Sequence, residues 1–186
     1  MTAIGIDPSL NSTGICVNKD GKCTYYIISS KCTKKMQEFN SKVIKYIFYE
    51  KAGTNKKENE YYIIEENKAK NIYAICSAIK DIIKKNKPDL VLIEGVSYGS
   101  LGSSALVDLS GLNFAIRNIL IDSDVHFIVV SPSQNKKFAT GNGSADKDLM
   151  VYSWLNIEKH VKNIKEIKID DLADAFFLSN YYKALQ

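Results

Sequence analysis

Residues 90–93, Leu-Val-Leu-Ile, form a wholly apolar run that follows a helix stop at Lys87-Pro88 and ends on an acid, Glu94. A strand apolar at every position has no face to offer water, so it belongs at the centre of a sheet with helices packed on both sides. That requirement points to a three-layer α/β domain. Residues 3–6, 14–17 and 25–29 read as strands, the last two joined by Lys19-Asp20-Gly21-Lys22, whose Asp-Gly pair marks a hairpin turn. Residues 43–49 leave strand and amphipathic helix open, and their β-branched and aromatic content leans toward strand. From about Glu65 the apolar positions Ile72, Ile75, Cys76, Ile79, Ile82 and Ile83 fall on one helical stripe. A helix over 104–121, a strand over 125–130, an irregular stretch over 131–143, a helix over 144–155 and a final helix over 170–183 follow. Hairpin strands succeeded by alternating helices and strands predict a mixed sheet flanked by helices.

The 186 residues suit one domain, 1–186, with a core of its own. Hydrophobic residues at 45% and charged residues at 25% give an ordinary globular balance. No apolar run approaches the roughly 20 residues of a membrane span. The start, Thr2-Ala3-Ile4-Gly5-Ile6, enters the strand pattern at once, without the basic and apolar regions of a secretory leader. A soluble, intracellular protein with no membrane partner is expected. Cys16, Cys23, Cys32 and Cys76 have neither a C-x-x-C nor a zinc spacing and read as reduced structural thiols. The net charge is only +4, but fourteen Lys face eight Asp or Glu between Lys31 and Asp89. A solvated face explains such a run as readily as a polyanionic partner does, so charge alone does not decide between them.

Four carboxylates bear on chemistry. Asp7 and Glu94 each close an apolar run, and Asp171 and Asp174 stand one helical turn apart, on the same side of the final helix. Near that helix's N-terminus the dipole favours their charge. If the four converge, their mutual repulsion calls for protons or cations between them, and oxygen-only donors suit a divalent metal. The competing role at a helix start is capping, which fits Asp170 better; it is kept as a reserve ligand.

Four blocks carry a family resemblance: Gly5-Ile6-Asp7-Pro8-Ser9-Leu10-Asn11-Ser12-Thr13-Gly14, residues 87–94, the basic glycine-containing stretch 136–147, and Asp171-Leu172-Ala173-Asp174-Ala175. In this order they resemble RuvC-type Holliday-junction resolvases, of phage or viral type given the extra residues over 34–62 and Pro8-Ser9 where many members have Pro-Gly. The resemblance implies a ribonuclease-H-like fold with a mixed five-stranded sheet. It also implies a metal-dependent endonuclease that resolves four-way junctions, and flaps or three-way branches besides, by paired nicks. The metal ligands would be Asp7, Glu94, Asp171 and Asp174, holding two Mg²⁺ or Mn²⁺ ions.

By the same resemblance Lys136 and Lys147 are functional basic positions, Lys147 neutralising charge at the reacting phosphate, with Lys137 able to substitute for Lys136. Gly141 and Gly143 permit close backbone approach to a phosphate, although Asn-Gly is also a routine turn. Tyr98 lies one step beyond the family's stacking position, which is Ser97 here. The helix over 104–121 has apolar positions beyond one stripe, Val107, Phe114 and Ala115 among them, and corresponds to the helix that pairs two subunits in the family, so a homodimer is expected. His126, His160, Trp154, Phe176, Phe177, Tyr181 and Tyr182 are assigned structural roles. Two other classes share parts of the pattern. A sugar-kinase-like phosphotransferase would open with the same strand and acid but needs a second domain. A non-catalytic binder of branched DNA would keep the basic surface without a use for four acids.

Overall fold

The computed structural model describes residues 1–31, 33, 44–53, 60–97, 103–159, 161 and 170–185. Strands β1 (Thr2–Asp7), β2 (Ser12–Lys19) and β3 (Lys22–Ser29) form an antiparallel meander, turned between β2 and β3 by Asp20 and Gly21 at positive φ. Strand β4 (Ile44–Phe48) pairs parallel to β3. Helix α1 (Tyr61–Asn86) then crosses to β5 (Leu90–Glu94), which pairs parallel to β1. Helix α2 (Ser103–Asp122) leads to β6 (Phe127–Val130), parallel to β5. Helices α3 (Pro132–Thr140), α4 (Lys147–Ile157) and α5 (Asp170–Asn180) follow, with a short 3₁₀ turn at Tyr181–Ala184.

The sheet order is β4-β3-β2-β1-β5-β6. It has six strands, and the expectation of five is corrected: residues 44–48 form a regular edge strand whose alternating burial accounts for the mixed strand and helix signal. As the apolar run demands, β5 lies inside the sheet with Leu90 to Ile93 buried. Side chains alternate across the pleat. Ile4, Ile6, Ile15, Val17, Val91 and Ile93 meet α1 and α2 on one face, where Ile79, Ile82, Leu112 and Ile116 fill the layer. On the other face Cys16, Tyr25 and Ile27 meet Met150 and Trp154 of α4 and Leu172, Ala173 and Phe176 of α5. Cys16, Cys23 and Cys76 are free thiols; Cys32 and His160 lie outside the described residues.

The stretch 131–143 is not irregular. Ser131 and Gln134 close a capping box around Pro132, and Gly141 ends α3 in the left-handed conformation, its N–H donating to Lys137 O at 2.8 Å. A nine-residue helix with one buried side chain leaves little apolar periodicity to detect.

Helix α5 sits unusually close to the sheet. A Cβ on Gly5 would lie 2.1 Å from Ala175 O, and one on Gly14 2.3 Å from Asp171 O. Two glycines therefore seat the helix backbone directly on β1 and β2. At its far end Asn18 Nδ2 donates to Asn180 Oδ1 at 3.1 Å, deep in the interior. Gly14→Ala is expected to lower stability by about 3 kcal/mol, because backbone and not a flexible side chain must move aside. A melting curve indistinguishable from that of the native chain would contradict this seating.

Candidate active site

Strands β1 and β5 run parallel in register, Ile6 opposite Ile93, so Asp7 and Glu94 emerge side by side at their carboxyl ends. The turn after Asp7 is held by Thr13, whose hydroxyl donates to Ser9 O at 2.7 Å and accepts from Ser9 N–H at 3.2 Å. Seated on Gly14, the first turn of α5 delivers Asp171 and Asp174 to the same place. Asp7, Glu94, Asp171, Asp174, Lys136 and Lys147 all line one cavity of about 380 Å³. They come from β1, β5, α5, α3 and α4.

Burial and crowding shape the electrostatics. Desolvation, then the neighbouring charges of Glu94, Asp174 and Asp171, hold the Asp7 carboxyl well above the usual range, and it shares a hydrogen bond with Glu94. Glu94 is also raised by burial, against the opposing effects of hydrogen bonds from Asp7 and Asn135 and the charge of Lys136. Asp174 is pushed up to about 7, by burial first and by Glu94 and Asp171 next, with Lys136 and Lys147 pulling it back. These groups repel at neutral pH and offer hard oxygen donors only, so the donor set fits a divalent cation. Among the described residues no three potential ligands close on one point as a finished metal cage.

Asp146 caps α4 by accepting from Leu149 N–H at 2.8 Å and so fixes Lys147 as the first helical residue. The Lys147 ammonium is ion-paired with Asp170, whose carboxylate raises its pKa. Asp170, assigned above to capping, is itself the first residue of α5 and tethers this lysine at the cavity mouth. Lys136 lines the cavity, whereas Lys137, one residue and about 100° around α3, is exposed and does not. Gly141 serves the α3 cap, and Gly143 packs near Ser133 O, 3.2 Å from where its Cβ would be. Ser97 reaches the cavity rim; Tyr98 lies outside the described residues.

Two asparagines were not anticipated from the sequence. Asn113 of α2 is buried, lines the cavity and donates to Glu94 O at 2.8 Å, while its Oδ1 accepts from Arg117 Nε at 2.9 Å. Asn135 of α3 is wholly buried and donates to Asp174 O at 3.3 Å. A buried polar residue in an otherwise apolar or exposed helix carries no periodic signature, so only the fold reveals either.

A mixed sheet in this order, with helices on both faces and acids at the carboxyl ends of two central strands, is a ribonuclease-H-like architecture. The family model for crossover junction endodeoxyribonuclease RuvC matches residues 57–179, and the chain belongs to that family. It is 29% identical over 110 residues to the RuvC of Caldanaerobacter subterraneus subsp. tengcongensis, a match spanning 59% of this chain and 64% of that protein. The chain thus matches less than two thirds of that relative's length. In fold it resembles Thermus thermophilus RuvC, with TM-score 0.61 at 17% identity over 100% of this chain and 96% of the other. The same protein in complex with a Holliday junction substrate gives TM-score 0.63 at 16% identity, with the same coverage. The yeast mitochondrial Holliday junction resolvase Ydc2 gives TM-score 0.53 at 12% identity, over 95% of this chain and 75% of that one.

The raised Asp174 pKa has a stability consequence. An unfolded carboxyl titrates near 3.8 and the folded one at about 7, so the folded state is favoured while the group is protonated. That stabilisation is complete below the unfolded value and disappears as pH rises through the folded one. Metal-free protein is therefore expected to lose melting temperature as pH climbs from below 3.8 to above about 7. Asp174→Asn should flatten that slope, and differential scanning calorimetry across the range checks it. An identical slope in the variant would count against the assigned burial.

Proposed function

We propose that this chain is a divalent-metal-dependent endonuclease that cuts branched DNA, four-way junctions foremost, by phosphodiester hydrolysis. One observation carries the reading: four acids and two lysines from five separate elements line a single cavity at the sheet's carboxyl edge. Membership of the RuvC family supports it. Asp7, Glu94, Asp171 and Asp174 would hold two Mg²⁺ or Mn²⁺ ions, which when bound supply an activated water and stabilise the leaving 3′ oxygen.

The chain's own groups do the rest. Lys147, tethered by Asp170, presents positive charge to the scissile phosphate at the cavity mouth, and Lys136 offsets the acids from within. Lys137 on the outer side of α3 and the Gly141 to Gly143 turn next to it would track the DNA backbone by charge and close approach. Tyr98 is retained as a candidate for stacking on unpaired bases.

Helix α2 is long and apolar enough, by length and composition, to cross a membrane. Its inner face is already committed to the core through Leu112, Ile116 and Leu120. Outward it shows Val107, Phe114 and Ile121, each more than half exposed and seven residues apart. A stripe at that spacing suits a second copy of the chain, which would bring two cavities to opposed strands of one junction.

Asp7→Asn and Glu94→Gln are each expected to reduce cleavage of a synthetic four-way junction by about 100-fold or more, with branch binding retained. Normal cutting by either variant, or no metal-dependent cutting by the native chain, would sink the reading. Phe114→Glu should shift the protein to monomer in sedimentation and uncouple the two nicks; a dimer that persists would remove α2 as the pairing surface.

A further inference from the structure

Asn135 is the one fully buried residue of α3, whose other side chains are half-buried or exposed, and its burial is costly. Its Oδ1 is enclosed and accepts no hydrogen bond among the described residues. A protein that needed only to fill this space would do better with an apolar side chain, since an unsatisfied buried carbonyl destabilises the fold. What the carboxamide contributes is therefore its nitrogen. That nitrogen donates to Asp174 O at 3.3 Å, and the side chain faces the Glu94 carboxylate, whose pKa it lowers. One side chain thus stands between the end of β5 and the first turns of α5, elements far apart in sequence.

We propose that Asn135 is a positioning residue, whose carboxamide, bonded to Asp174 O and set against the Glu94 carboxylate, holds strand and helix acids so that they are presented together to a divalent cation. The inference rests on the metal-site reading above. Without this strut, Glu94 loses its partner on the side of α5, and repulsion between the acids widens the site. Outer hydrogen bonds to ligating carboxylates typically change metal affinity by about 10- to 100-fold. Loss of a similar size is expected here.

The test uses the full chain with Asn135→Leu, close in volume and without donors, and Asn135→Ala, which adds no bulk. Mn²⁺ binding is measured by calorimetry on DNA-free protein, and kcat and KM on a four-way junction. Both variants should bind Mn²⁺ at least about tenfold more weakly. The kcat should fall at saturating junction while KM stays within about twofold of native, a difference of only a few tenths of a kcal/mol. The Leu variant should stay folded, with a cooperative melt, so that weaker Mn²⁺ binding is separated from loss of the fold. Native Mn²⁺ affinity in a folded variant overturns the proposal. A native chain that binds Mn²⁺ but does not cut overturns the nuclease reading instead, and the affinity comparison still decides the role of Asn135.

Discussion

The close seating of α5 on β1 and β2 is the constraint on which the site depends. Neither Gly5 nor Gly14 leaves room for a Cβ against the helix backbone. A side chain at Gly14 would lift the first turn of α5 at Asp171, and one at Gly5 would push on its later turns at Ala175 and Ser179, so that Asp171 and Asp174 would move away from Asp7 and Glu94. A helix resting on ordinary side chains is held off a sheet by their length. Here that distance is closed by removing side chains, and the acidic residues of the helix reach those of the strands.

Bringing four carboxylates together works against folding, and the structure shows how the conflict is contained. Burial disfavours the charged form of Asp7 and Asp174 and raises both carboxyls. Two lysines line the cavity with the acids, Lys136 on α3 and Lys147 on α4, and their charges pull the Asp174 pKa back down. Asp170 lies just outside the cluster and engages Lys147, so that this cation is held at the mouth rather than drawn in among the acids. A cluster arranged in this way would favour a divalent cation, because a cation offsets the repulsion that raises these carboxyls.

How much of this was legible beforehand depends on whether a residue's role leaves a periodic trace. The strands and α1 are visible because their apolar residues repeat at two or near 3.6 positions, and Glu94 stands out because it ends the one run that is apolar on both faces. Strand β4, at the edge with every second residue partly exposed, carries a weaker pattern, and the sheet was undercounted by it. Helix α3 was missed because its signal lies in its caps, Ser131 with Gln134 and Gly141, and not in its middle. That omission also blurred Lys136 and Lys137: adjacent lysines in a loop are equivalent, but on a helix they point to different sides, and only Lys136 enters the cavity. Asp170 looked like a cap because it stands at a helix start, and only its spatial neighbour Lys147 reveals the ion pair. The asparagines were invisible for the same reason, since a hydrogen bond from Asn113 or Asn135 across tens of residues has no local signature.

Helix α2 connects surface and site through an unbroken series of contacts. Phe114 is exposed, and the Arg117 guanidinium lies over its ring, 4.6 Å from the centroid. Arg117 donates to Asn113, and Asn113 donates to the carbonyl of Glu94. The exposed stripe and the brace on the strand end thus belong to one helix, Phe114 following directly on Asn113. Covering Phe114 excludes water from around Arg117 and strengthens its bond to Asn113, since charge-assisted hydrogen bonds gain in a drier setting. A partner seated on the outer face of α2 would therefore stiffen the position of Glu94 without touching the cavity. On this geometry, pairing of subunits and order in the acidic site are favoured by the same contacts.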